Sequence, residues 1–128
     1  MKYLLLIHTN ETAFGRISES TRKDMLAESV QVTHQLHAVG QYIDASPLHP
    51  SSTAAKVQVR DGMRFVTDGP FVETHEQVAG YFLVNANNLE EAISIAARIP
   101  GATIGTVEVR QVREIEGLPD QQRSKIIV

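Results

Sequence analysis

Four side chains able to exchange a proton fall between Asp68 and Glu76: Asp68, Glu73, His75 and Glu76. They sit in the stretch Asp68-Gly69-Pro70-Phe71-Val72-Glu73-Thr74-His75-Glu76-Gln77-Val78-Ala79-Gly80-Tyr81. Carboxylates and an imidazole placed together push each other's pKa values apart, which is how acid and base roles are divided. In a catalytic reading Asp68 is the base, Glu73 or His75 is its proton partner, and Gln77 or Tyr81 orients a carbonyl. The competing reading is structural. Pro70 fixes its own φ, lacks a donor, and drives Gly69 out of the helical region. An Asp just before such a break commonly caps the turn by accepting backbone N–H bonds. Both readings of Asp68 stay open on the sequence.

Other polar groups are candidates to line a pocket with this stretch. His8 ends an apolar run, and Ser46 and His49 lie in Ser46-Pro47-Leu48-His49-Pro50-Ser51-Ser52, where two prolines argue against a strand. His34 and His37 are three apart and within reach of one metal, but a third ligand is lacking, so no metal site is expected. Arg60 and Arg64 fit the wet face of a hairpin. There is no GxGxxG, Walker loop or HExxH, so no bound cofactor is expected.

These residues need elements to hold them. At 128 residues the chain makes one domain and can bury about two-thirds of its unfolded surface. The absence of cysteine excludes disulfides and thiolate chemistry and fits a cytoplasmic setting. A net charge of −3 gives no footprint for nucleic acid. No apolar run spans a bilayer, and the N-terminus is too short for a signal segment.

Residues 2–8 read as a strand apolar on both faces, Tyr3, Leu5 and Ile7 against Leu4, Leu6 and His8. After a loop, Ser18 or Ser20 caps a helix that ends at Gly40, with Met25, Leu26, Ser29, Val32, Thr33 and Leu36 on one side. Gln41–Ala45 is a short strand. Thr53–Arg60 and Met63–Thr67 flank Asp61-Gly62, a strong hairpin signal. Val78–Val84 is a second strand with two apolar faces. Asn88 and Glu91 cap a helix to Arg98 whose stripe is Leu89, Ala92, Ile93 and Ala96. Ile104–Val112 is the last strand. Residues 114–128 form a tail ending in the apolar tip Ile126-Ile127-Val128, frayed or docked on a partner.

Without its hairpin the order is βαββαβ, the ferredoxin-like α+β plan. Two helices cover one face of such a sheet. An apolar second face left wet would exceed the patches typical of monomers. A homodimer packing sheet against sheet is therefore expected.

The stretch DGPFVETHEQVAGYFLV closely resembles the signature of DGPF-domain proteins, a branch of the YCII-related family. The resemblance covers residues 1–113, from Met1-Lys2-Tyr3-Leu4-Leu5-Leu6-Ile7 through Val107-Glu108-Val109-Arg110. It implies the same fold, assembled as a dimeric α+β barrel, an architecture that also includes enzymes of proton transfer. The family usually has Lys at His75 and Gly at Ala79. His75 supplies a positive charge only at mildly acidic pH. Many YCII relatives carry a proposed functional His on the first helix, where Glu28 and Ser29 lie nearest here.

Two functions are compatible with these residues. One is a small-molecule site, extending to an enzyme of proton transfer or elimination on a small polar organic substrate. The other, drawn from the resemblance, is a non-catalytic binding or regulatory module linked to alternative sigma factors. Neither calls for nucleic acid or a membrane as partner.

Overall fold

The computed structural model describes residues 1–71 and 74–119. The chain is α+β, and among the described residues it has antiparallel sheets and four α-helices. Strand β1 (Lys2–Thr9) leads into a short helix α1 (Glu11–Gly15) and the long helix α2 (Glu19–Ala38). Strand β2 (Tyr42–Pro47) and a single 3-10 turn (Ser51–Thr53) precede β3 (Ala55–Arg60) and β4 (Met63–Asp68). Then come β5 (Gln77–Asn85), α3 (Leu89–Ala97), α4 (Gly101–Ile104) and β6 (Thr106–Gln111). The main sheet runs β2-β5-β1-β6, every neighbour antiparallel. With β3 and β4 set aside, this order fits the ferredoxin-like plan.

The boundaries have local causes. Ser18 Oγ accepts from the Thr21 amide and starts α2, and Gly40, at φ 77°, follows its end. Asn88 Oδ1 accepts from the Glu91 amide at 2.9 Å and starts α3. Asp61 and Gly62, at φ 50° and 74°, give the paired positive φ of a tight hairpin turn between β3 and β4.

The core lies between the sheet and one helical layer. Tyr3, Leu5, Phe82 and Val84 pack with Val32 and Leu36 of α2 and with Ala92, Ile95 and Ala96 of α3. Ile99 completes it. By strand alternation Leu4, Leu6, Tyr81 and Leu83 share the opposite face, where they are half-buried.

Some expectations need correction. Asn10–Ile17 is not all loop, because Asn10 Oδ1 accepts from the Ala13 amide and nucleates α1. Ser46 and Pro47 continue β2 opposite Tyr81 and Gly80. β2 is an edge strand, where proline is tolerated. Leu26 faces solvent, since only the later turns of α2 meet the core. On α3 the buried stripe is Ala92, Ile95 and Ala96, and Leu89 and Ile93 are about half exposed. Residues 101–104 form α4, so β6 begins at Thr106. Glu73 and the Ile126–Val128 tip lie outside the described residues.

Candidate functional site

The site gathers where β1 ends. β1 and β5 pair residue for residue until Ile7 meets Gly80, after which His8 meets Val78. Ala79 is thus an extra residue in β5, a bulge of the kind that re-aims side chains beside functional clefts. Its carbonyl accepts from the Leu48 amide at 2.8 Å, tying the proline-rich loop to the bulge. On the other side His8 pairs with Thr106 of β6, and Gly105 lies against the His8 carbonyl. An alanine Cβ at Gly105 would stand 2.1 Å from that oxygen.

His8 Nε2 lies 3.2 Å from Glu108 Oε1, across β1 and β6. Arg110 also donates to this carboxylate, its Nε at 3.1 Å from Oε2. Arg110 first, and His8 second, hold the Glu108 carboxyl below its usual range. An anionic carboxylate at Nε2 favours the tautomer with its proton there and leaves Nδ1 as the basic nitrogen. Nδ1 of His8 has no partner among the described residues.

Two adjoining clefts open at this end of β1, one of them lined by His8 and neither of them by Glu108. One, of about 570 Å³, is lined by His8, His49, Glu76 and Gln77 with Leu48, Phe71 and Val78 among its apolar walls. The other, of about 860 Å³, is lined by Asn10, Glu11, Ser51, Thr74, His75 and Gln77. Ser51, Pro70, Thr74 and Gln77 border both. The walls are pinned from different parts of the chain. Glu11 accepts from the Ser51 amide and hydroxyl, both at 2.8 Å, which locks α1 to the 3-10 turn. The Thr106 hydroxyl donates to Glu76 Oε1 at 3.3 Å, and Gln77 Nε2 donates to the Thr74 carbonyl at 3.1 Å.

Of the residues singled out from sequence, His8, His75 and Gln77 come together at these clefts, with His49 beside them. Asp68 does not line either cleft. It closes β4 opposite Ala55, is exposed, and its carboxylate accepts no hydrogen bond among the described residues. The turn here is held instead by the Gly69 amide on the Ala54 carbonyl, at 2.7 Å. Ser46 and Tyr81 form a separate group on the face opposite the helices. They are register partners, and the Tyr81 hydroxyl donates to Asp44 Oδ2 at 2.7 Å. His34 and His37 are exposed on α2, the His37 ring standing edge-on to Tyr42.

Sequence reasoning missed Glu108, Glu11 and Asp44. Glu108 lies 100 residues from His8, so only the β1–β6 register brings them together. Its signal was a carboxylate on the alternating polar face of the last strand. Asp44 is displaced by an irregularity between Tyr42 and Asp44 in the β2–β5 pairing, which simple alternation does not foresee.

The Tyr81–Asp44 bond raises the tyrosine's pKa above its usual 10.0, because ionising the phenol would forfeit the bond beside a carboxylate. A raised pKa in the folded state stabilises the fold below pH 10, and that contribution is lost as pH rises through the raised value. Denaturation of wild type and Tyr81→Phe across pH 8–12 is therefore expected to show wild type losing its advantage on the alkaline side. Parallel curves would remove this bond from the folded state.

No helix among the described residues is long and apolar enough to cross a membrane. The YCII-related domain matches residues 1–116. A protein of Rhizobium meliloti (strain 1021), described as uncharacterized, is 29% identical over 112 residues, covering 86% of this chain and 90% of its own length. The match takes in both clefts and every strand of the main sheet, and the chain belongs to the YCII-related family.

Proposed function

We propose that this chain binds a small polar organic molecule in the two adjoining clefts and moves a proton on it. One observation supports the reading above all: His8, steered by the Glu108 carboxylate, opens onto a cleft with apolar walls and few polar groups. Ligand sites are commonly built this way, apolar surface giving affinity and a few placed polar groups giving orientation. His8 Nδ1 takes a proton from the substrate, and the imidazolium that forms is stabilised by Glu108. Gln77, which borders both clefts, orients a substrate carbonyl by exchanging its bond to Thr74 for one to the substrate, and His75 or Glu73 returns the proton or protonates a leaving group. The reaction class is proton transfer or elimination. Asp68 is the rival base, separable by experiment.

The active unit in this proposal is a homodimer, a dimeric α+β barrel in which the β3–β4 hairpin is an insertion in the βαββαβ order. Leu4, Leu6 and Leu83 give the face opposite the helices an apolar centre, ringed by Asp44, Ser46, Glu108 and Arg110. A second sheet would cover it.

The test is a thermal-shift panel of small acids, lactones and phenols on wild type, His8→Asn and Asp68→Asn. A ligand at a hundredfold excess over its Kd stabilises by about 2.7 kcal/mol. In a domain of this size that is on the order of 10 °C. A compound that shifts wild type and Asp68→Asn but not His8→Asn is the expected result. Loss of the shift in Asp68→Asn alone would hand the base role to Asp68. A panel in which nothing shifts wild type would favour the regulatory, non-catalytic reading.

A further inference from the structure

We infer that the β3–β4 hairpin is an arm that packs against a second copy of this chain, an inference that rests on the homodimer proposed above and extends it. The hairpin pairs with no other strand among the described residues. Register places Val57, Val59 and Val66 on one of its faces and Met63 and Phe65 on the other. All five are 48–62% exposed. A two-stranded ribbon is marginal in water by itself and needs packing for stability. Apolar side chains on both faces also mean that folding the ribbon down onto its own body would cover only half of them.

Area and charge both point to a second copy as the occupant. Four strands spaced about 4.8 Å apart and about 20 Å long give the open sheet face a footprint of roughly 400 Å². A stable interface buries about 800 Å² per partner. Each face of the hairpin offers roughly 200 Å² more by the same spacings, so sheet and arm together approach what the sheet alone does not. The arm also differs in charge from the rest. Lys56, Arg60 and Arg64 outnumber Asp61 and Asp68 on it, whereas the whole chain carries −3. An arm with excess cations is attracted to the acidic body of another copy and is not repelled by it.

The experiment is sedimentation velocity on wild type, on Val57→Lys/Phe65→Lys, which places a charge on each face of the arm, and on Leu6→Glu, which charges the open sheet face. Wild type is expected to be a dimer. The arm variant should dissociate at a concentration at least tenfold higher, with its far-UV circular dichroism unchanged. A wild-type monomer at micromolar concentration would overturn the dimer and the arm together. A dimer that Leu6→Glu breaks and Val57→Lys/Phe65→Lys leaves equally tight would overturn the arm alone. If the double variant loses secondary structure, Val59→Cys supplies the test, since the chain has no cysteine of its own. Maleimide labelling of that single thiol should slow as protein concentration rises through the dimerisation range. A rate independent of concentration would overturn the arm.

Discussion

Replacing His8 with asparagine is expected to slow proton transfer on the substrate by about 10²–10⁴-fold while leaving the melting temperature almost unchanged. The two halves of that expectation have separate causes. Nδ1 of His8 is the nitrogen that Glu108 leaves basic, and asparagine offers no titratable group in its place. The contact it makes with Glu108, by contrast, is open to solvent, His8 being 26% and Glu108 36% exposed in their side chains. Pairs of that kind contribute little to folding. Turnover measured on any compound that the thermal panel identifies, together with a melt, checks both halves. A variant that melts far earlier than wild type and keeps its turnover would make His8 a structural residue. Glu108→Gln should show a milder form of the same defect, since it keeps the contact and removes the charge that stabilises the imidazolium.

Gly105→Ala should be among the most damaging single-methyl changes in the chain. The added Cβ would stand 2.1 Å from the His8 carbonyl oxygen and 3.3 Å from Thr9 Cα. Both neighbours are backbone, so no side chain can swing aside. Relief requires β6 to part from β1 at the His8–Thr106 pair, next to where Glu108 reaches His8. Ordinary overpacking costs about 1–3 kcal/mol, and a contact this short belongs at or above the top of that range. The fall in melting temperature is then on the order of 10 °C. The variant should also lose ligand-induced shifts, because the register that presents His8 is disturbed. An alanine at 105 that melts with wild type would mean the strands do not approach this closely.

Periodicity located β1 and β5, because Tyr3, Leu5, Phe82 and Val84 alternate with apolar neighbours, but it did not foresee the bulge at Ala79. Asp61-Gly62 located the hairpin turn through positive φ, a purely local property. Exposed positions of the helices were harder. Leu26, Leu89 and Ile93 have the spacing of a buried stripe, yet the helices meet the core through Val32 and Leu36 of α2 and Ala92, Ile95 and Ala96 of α3. The site was the least legible part. The DGPF stretch concentrates titratable groups in sequence, but its chain direction carries Asp68 to the end of β4 and His75 to the cleft. Glu108, which gives His8 its chemical character, is reached only through strand register over 100 residues. Local signals do not encode that distance.

The central claim, a ligand held between His8 and the His75–Gln77 segment, can be read from the chain's own five histidines. His8, His49 and His75 line the clefts, and His34 and His37 lie on α2. Ring ¹⁵N and ¹³C resonances of ¹³C,¹⁵N-histidine-labelled protein would be followed while titrating the phenol or lactone that gives the largest thermal shift. His8 is expected to move most, with His75 or His49 following, while His34 and His37 stay in place. Movement of His34 or His37 with a silent His8 would place the ligand on the helical side and contradict it.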